Sequence, residues 1–346
     1  MSLTSFVRYS NGQACRRPMP ANLRPEDFQT FEGSAFYPGA DALARPVNTL
    51  AFRAKGEFFD GLDLCPEYYP ANDTARRLRQ DQVLARASKT RAEAAKHPGD
   101  WLWITDRFSA NYYHWICDCL PRLEAWVASG NDPRRLLLPG GVSGRKFVRE
   151  SLCAYPEVEV GAPADESRDG LAERAWIAGP VAANGNHHPG WQDAVANRMR
   201  SCFQAGRATG ARLWVSRSAA ARRRIANEAA LAPILEKHGF RIVAMEQLAF
   251  AEQVRLAASA SILAGPHGAG LANMAFMRPG GTVLELRQVA GTMNSFHSLA
   301  AARRQKYFYL PCQPAERGHP VHAADLVCEP EALDRALSRV AETVDG

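Results

Sequence analysis

No run of about 18 apolar residues occurs in the sequence, so no stretch reads as a membrane-spanning helix. The first residues, MSLTSFVRYSNGQACRRP, hold no apolar segment suited to a secretory leader, and a cytoplasmic chain is expected. The 8 cysteines include no CxxC pair, the nearest two being Cys117 and Cys119. That spacing excludes a zinc ribbon, and a 346-residue chain does not need disulfides to hold a core, so buried free thiols are expected. HExxH, GK[ST], GxGxxG and GxSxG are all missing, which argues against zincin, P-loop, dinucleotide and hydrolase-elbow sites. A DxD pair of the metal–diphosphate kind is missing as well. The charge excess is small, 42 basic against 36 acidic residues for a net +6, and it is spread along the chain. Arginine dominates the basic set, which suits an anionic small substrate better than a nucleic-acid track.

What is present centres on Leu263–Glu285, LAGPHGAGLANMAFMRPGGTVLE. It reads as an apolar strand, a glycine-rich turn, a helix start and a second strand. Gly265, Gly268 and Gly270 surround His267, where glycine permits either φ > 0 or a close approach. A strand entering such a turn and then a helix builds a binding edge in α/β folds, and the turn suits an anion such as phosphate. His267 there points at a ligand or bonds to backbone, and the ligand reading is the stronger because few apolar neighbours surround it.

The pattern on either side is strand–helix alternation, the mark of doubly wound sheets. Trp101–Thr105, Leu136–Leu138, Glu157–Val160 and Arg174–Ala178 read as strands of a first sheet. A helix from about Tyr112 to Val127 should be kinked or interrupted by Pro121. Arg212–Ser216, Phe240–Met245, Ser261–Ala264, Thr282–Leu286 and Tyr307–Leu310 read as strands of a second. A boundary is expected near 204–210, and Asp73–Lys96 reads as one long polar helix or two short ones. The resulting division is an N-terminal extension of unclear structure (1–95), in which FRAKGEFFDGLDLC and PEYYPAND could be short strands with functional loops, packed on a first Rossmann-like domain (96–206). A second such domain (207–315) and a C-terminal helix (316–346) follow. No internal repeat is visible.

Candidate chemistry falls in four places. Arg217, Arg222, Arg223, Arg224 and Asn227 follow the Arg212–Ser216 strand, where strand ends face the crevice of an α/β sheet. Arg217 and then Arg223 are the first choices for a diphosphate clamp, against the plainer reading of a basic surface turn. Glu246 follows the next strand, and Glu285 sits inside an apolar one. A carboxylate there accepts from ribose hydroxyls or forms a buried ion pair with an arginine. His114 and Asp118, at i and i+4, share a helix face and could be a base and its orienter, with Asp106 as a reserve. A solvated aspartate on a capped helix is the alternative. A Cys117 nucleophile has no feature supporting a lowered thiol pKa, and a metal site built from His187, His188, His114 and His267 is not expected.

NYYHWICDCLPRL (111–123), LWVSRSAAARRRIANE (213–228) and GPHGAGLANMAFMRPGGTVLEL (265–286) together resemble the family 61 glycosyltransferases. That family includes bacterial capsular and exopolysaccharide enzymes and eukaryotic xylosyl- and N-acetylglucosaminyltransferases. The resemblance implies an α/β GT-B-like fold, two Rossmann-like doubly wound domains facing a cleft. It implies an inverting transfer from a nucleotide sugar, usually UDP-linked, to a glycan or lipid-linked acceptor, without a metal or other cofactor. The matching motif positions on the donor side are Arg217, Arg223, His267, Gly268, Ala269, Gly270, Asn273 and Glu285, with Asn227 and Glu246 beside them. His114 and Asp118 would face the acceptor. Peripheral contact with the inner face of an anionic membrane is a further expectation, and no nucleic-acid partner is expected. Two rivals remain open: a GT-B-like epimerase or hydrolase, and a non-catalytic nucleotide- or carbohydrate-binding protein.

Overall fold

The structure is a computed structural model that describes residues 8–10, 13–15, 44–53, 58–60, 63–64, 80–161, 169–182, 187–288, 295–316 and 323–345. Strands β1 (Arg8–Ser10) and β2 (Gln13–Cys15) form a separate antiparallel pair. The chain forms two compact units that divide between residues 182 and 183, the β1–β2 pair being grouped with the second.

The unit before that point holds one sheet of seven strands. These are β3 (Ala44–Phe52), β4 (Phe58–Asp60), β5 (Asp63–Leu64), β6 (Ala95–Trp103), β7 (Arg135–Leu137), β8 (Glu159–Gly161) and β9 (Gly170–Ala178), in the spatial order β5-β4-β3-β9-β6-β7-β8. β9, β6, β7 and β8 are parallel, while β3, β4 and β5 run antiparallel at one side. The chain leaves β6 outward to β7 and β8, then returns to the opposite side of β6 as β9. The carboxyl ends of β6 and β9 therefore flank a switch point, where connections diverge and a crevice opens. Trp101–Ile104 are buried at this end of β6.

Part of the first 95 residues thus extends this sheet along β9, with β4 and β5 inside the stretch FRAKGEFFDGLDLC that read as possible short strands. The polar helix is Gln80–Glu93, and the remainder of the expected 73–96 span up to residue 79 lies outside the described residues.

The helix expected to be kinked or interrupted by Pro121 is interrupted just ahead of it. Tyr112–His114 is α-helical, Trp115–Cys119 is a π turn, and Leu120–Ala128 is α-helical again. Proline has no N–H and clashes with the carbonyl four residues back. The wider π turn, closed by the Leu120 N–H on the Trp115 carbonyl, puts Pro121 in the first turn of the following segment, where neither cost applies.

The second unit holds a sheet of six strands: β10 (Ala211–Val215), β11 (Phe240–Val243), β12 (Ala260–Pro266), β13 (Thr282–Gln288), β14 (Lys306–Pro314) and β15 (Leu326–Val327), in the order β11-β10-β12-β13-β14-β15. β10 to β14 are all parallel, and only β15 is antiparallel. The first five strands have the flavodoxin-like order 2-1-3-4-5, with its switch point between β10 and β12. Both faces of a parallel sheet are covered, so its central strands are buried along nearly their whole length. One core joins Trp214, Ile262, Leu284, Leu286 and Phe308 to Leu333, Leu337 and Val340 of the helix Pro330–Asp345.

The helix Pro189–Cys202 packs with this second unit, so the division falls before it and not at the expected 204–210. The physical reason is the Arg303 guanidinium, 0% exposed, which binds Asp193 on that helix and the Met277 carbonyl at 3.1 Å. Arg200 adds a bond to the same carbonyl at 3.1 Å. Among the described residues no helix is long and apolar enough to cross a membrane.

Candidate active site

The switch point of the second unit brings β10 and the glycine turn together. Val215 ends β10 and Pro266 ends β12, so Arg217 and His267–Gly268 leave the sheet side by side. A Cβ on Gly265 would lie 2.7 Å from the Val215 carbonyl, and one on Gly268 would lie 2.1 Å from Nη1 and 2.6 Å from Cζ of Arg217. Gly268 has φ of 172°, which any residue adopts. Of the two reasons expected for these glycines, close approach is therefore the operative one. The turn leads into a 3-10 helix, Ala269–Phe276, whose first N–H groups have no intrahelical partner.

The arginines divide into two groups. Arg224 is taken: its guanidinium donates to Asp325 from Nε at 2.9 Å and from Nη2 at 2.7 Å. Arg217 donates from Nη2 to the Arg222 carbonyl at 3.2 Å, but its buried Nε has no protein partner. The buried Nε of Arg223 has none either, and Arg223 holds a left-handed φ of 59° without being glycine. Burial pushes Arg223 down to about 10, and the neighbouring Arg217 and Arg222 charges add to the shift, with Glu285 opposing it. Arg217 is also lowered, by burial first and by Arg222, against Glu246 and Asp325. Like charges held together and partly desolvated are unfavourable unless an anion joins them.

Three residues expected to contact a ligand have other work. The Asn227 side chain donates to the Cys328 carbonyl at 2.7 Å and accepts from the Cys328 N–H at 3.1 Å, so it anchors the arginine loop to the end of β15. Asn273 is 0% exposed and donates to Gln253 at 3.2 Å and to the Gly270 carbonyl at 3.0 Å, bracing the turn from inside. Glu285 is 1% exposed, and its carboxylate is engaged by protein partners. It accepts from the Tyr307 hydroxyl on one oxygen and meets Nδ1 of His267 on the other. Burial alone would raise its pKa, but the His267 charge and hydrogen bond, Arg287 and Tyr307 outweigh that and hold it low. The carboxylate thus fixes the ring of His267, whose edge also packs on Phe296. Glu246 is exposed beyond the end of β11, within the electrostatic reach of Arg217.

Arg287 and Tyr307 were not singled out in the sequence. Arg287 shares a strand face with Glu285 at i and i+2, which is a readable signal. Tyr307 lies on β14 and has no local one.

In the first unit, the switch point carries His114 and Asp118. Nδ1 of His114 lies 2.7 Å from Oδ2 of Asp118, and Asn111 caps the helix start through the Tyr113 N–H at 2.9 Å. Phe108 stacks on the imidazole with centroids 5.2 Å apart, and Tyr113 meets it edge-on at 5.1 Å. Burial pushes His114 down, but the bond and charge of Asp118, with Asp106, outweigh it and raise the pKa overall. Asp106 is engaged in its own loop, accepting from the Phe108 N–H at 2.8 Å and pairing with Arg122 at 3.6 Å. Arg122 in turn holds the Ile104 carbonyl at 2.9 Å. Burial pushes the Cys117 thiol well up, and Asp118 adds to it, which is the opposite of an activated nucleophile.

His187 is buried with Gln192 at 3.4 Å, and His188 caps the Pro189–Cys202 helix by accepting from the Trp191 N–H at 3.3 Å. Among the described residues no three His, Cys, Asp or Glu side chains gather as metal ligands would.

A family model described as Glycosyltransferase 61 matches residues 112–284, half of the chain. No curated protein matches the sequence. The matched span begins at the helix bearing His114 and Asp118, takes in Arg217, Arg223 and the glycine turn, and ends one residue before Glu285.

Proposed function

The chain belongs to glycosyltransferase family 61, and from that premise we propose that it transfers a sugar, with inversion, from a UDP-linked donor to a glycan or lipid-linked acceptor. The setting we propose is bacterial surface polysaccharide synthesis, in the cytoplasm or against the inner face of its membrane. The two units would act as the halves of a GT-B enzyme, the second binding donor and the first acceptor.

One observation carries this reading: Arg217 crowds the glycine turn, Arg223 lies within its electrostatic reach, and both have buried Nε donors that lack a protein partner. A diphosphate supplies the missing acceptors and the missing negative charge. When the bond between anomeric carbon and diphosphate oxygen breaks, its electron pair leaves with the diphosphate. Fixed donors placed where that charge grows lower the barrier, each by about 3 kcal/mol. In this proposal the arginines supply the charge that a divalent cation supplies elsewhere, and catalysis is metal-independent.

The acceptor hydroxyl attacks the anomeric carbon and gives its proton to Nε2 of His114. Asp118 holds Nδ1 as the donor nitrogen and stabilises the imidazolium that forms.

The test is a panel of UDP-sugars with and without candidate acceptors, following UDP release. Acceptor-dependent release that is lost in Arg217→Ala supports the proposal. Conversion to an isomeric sugar nucleotide without acceptor would make the chain an epimerase. UDP binding with no turnover of any donor would make it a binding protein.

A further inference from the structure

Two cysteines face each other across β14 and β15, away from either switch point. The pairs Gln313–Val327 and Pro314–Leu326 set the register, and one further step puts Cys312 opposite Cys328. The Ala315 N–H donates to the Asp325 carbonyl at 2.8 Å, so Ala315–Asp325 is a hydrogen-bonded pair. Hydrogen-bonded and non-hydrogen-bonded pairs alternate along an antiparallel ladder. Cys312–Cys328 lies three steps on and is of the non-hydrogen-bonded kind, in which Cα atoms approach to about 4.5 Å. Disulfides span Cα separations of roughly 4.4–6.8 Å, so the backbone is already placed for one. Each thiol meets a backbone carbonyl, Cys312 that of Leu310 at 3.7 Å and Cys328 that of Glu329 at 3.8 Å, and both are reduced and buried, at 3% and 1% exposed.

The strand that Cys328 closes has a second task. Asp325 binds Arg224, the Leu326 N–H donates to the Arg224 carbonyl at 2.8 Å, the Ala226 N–H donates to the Leu326 carbonyl at 2.8 Å, and Cys328 holds Asn227. The arginine loop is thus fastened to a strand of only 2 residues.

We propose that Cys312 and Cys328 are a disulfide-forming pair, and that the closed bond secures the strand on which the Arg222–Asn227 loop is anchored. The oxidant is a small disulfide of the glutathione class. One cysteine attacks it and forms a mixed disulfide, releasing one small thiol. The other cysteine then attacks the protein-side sulfur and releases the second. The two protein thiols lose two protons and two electrons, and the small disulfide gains them as two thiols. The neighbouring Cys328 thiol, and then burial, push the Cys312 thiol well above its usual range. Closure therefore belongs to the folding or transiently opened chain, where a thiolate forms and is accessible.

The experiment refolds the full chain in oxidising and in reducing glutathione buffers, alkylates the remaining thiols and maps peptides without reduction. The expected result is a 312–328 linked peptide, with only glutathione adducts at the exposed Cys153 and Cys202. The linked form should melt roughly 5 °C higher, and amide exchange over residues 222–227 should slow about tenfold or more. Cys328→Ala should remove the link and both gains. Free Cys312 and Cys328 after oxidising refolding would overturn the proposal. So would a formed link that leaves exchange in the loop unchanged.

Discussion

The guanidinium of Arg217 occupies the volume that a side chain at position 268 would take, since a Cβ there would lie 2.1 Å from Nη1. The crowded group is the end of a flexible side chain, so Gly268→Ala should swing Arg217 away and leave the sheet intact. UDP affinity should fall by about tenfold or more, the loss of one charge-assisted contact. The melting temperature should stay within a few degrees of wild type. Calorimetric titration and thermal unfolding of the same sample check both halves.

The His114–Asp118 pair fixes the direction of a pH effect. As the proposed base, His114 would work unprotonated, and its pKa is raised because Asp118 and Asp106 outweigh burial. The acid limb of kcat/KM should therefore lie above ~6.5, the ordinary histidine value. Asp118→Asn removes the largest raising contribution and should move that limb to lower pH. His114→Ala should lower kcat by roughly 10²–10⁴. Steady-state kinetics across pH 5–9 on the three proteins would show it, and overlapping acid limbs for wild type and Asp118→Asn would refute the pairing.

Glu285 predicts an acid-sensitive core. Its folded-state pKa is depressed, so its contribution to stability is present above the unfolded-chain value of about 4.3 and is lost as pH falls through the lower folded value. Glu285→Gln leaves His267 and Arg287 without their buried counter-charge and should cost about 3 kcal/mol at neutral pH. The variant should also show a flatter decline of stability below pH 5 than wild type. Urea unfolding at a series of pH values measures both.

Sequence and structure agree where the signal is local. The strand–turn–strand of 263–285 and the strand–helix alternation of the second unit rest on nearby residues, and the structure forms both. The His114–Asp118 contact follows from helical spacing alone. What escaped the sequence depends on distant partners. Asn227 reads as a ligand residue until Cys328, 101 positions later, engages both ends of its amide. Glu285 reads as a ribose acceptor until β14 brings Tyr307 beside it. β15 is 2 residues long and too short to leave a periodic pattern. The π turn at Trp115–Cys119 has only Pro121 as its trace, and Pro121 pointed to a kink or an interruption without giving its form.

The loop anchor makes a separate prediction. Asn227→Ala removes two hydrogen bonds to Cys328 and leaves that backbone pair without its partner. Stability should fall by about 1–3 kcal/mol, and UDP affinity should fall with it because Arg222 and Arg223 lose their mooring. Asp325→Ala should reproduce the affinity loss through Arg224. Full affinity in both variants would show that the loop holds its shape without β15.

Metal removal tests the assignment of charge to arginine. Turnover should be unchanged after dialysis against a chelator, and added magnesium or manganese should not raise it. A strict requirement for either ion would transfer the charge-neutralising role from Arg217 and Arg223 to a cation.

The most direct test of the account is calorimetric titration of UDP and of uridine into wild type and the Arg217→Ala/Arg223→Ala variant. The account predicts that wild type binds UDP far more tightly than uridine, and that the double variant binds the two about equally. UDP affinity in the double variant equal to that of wild type would contradict it.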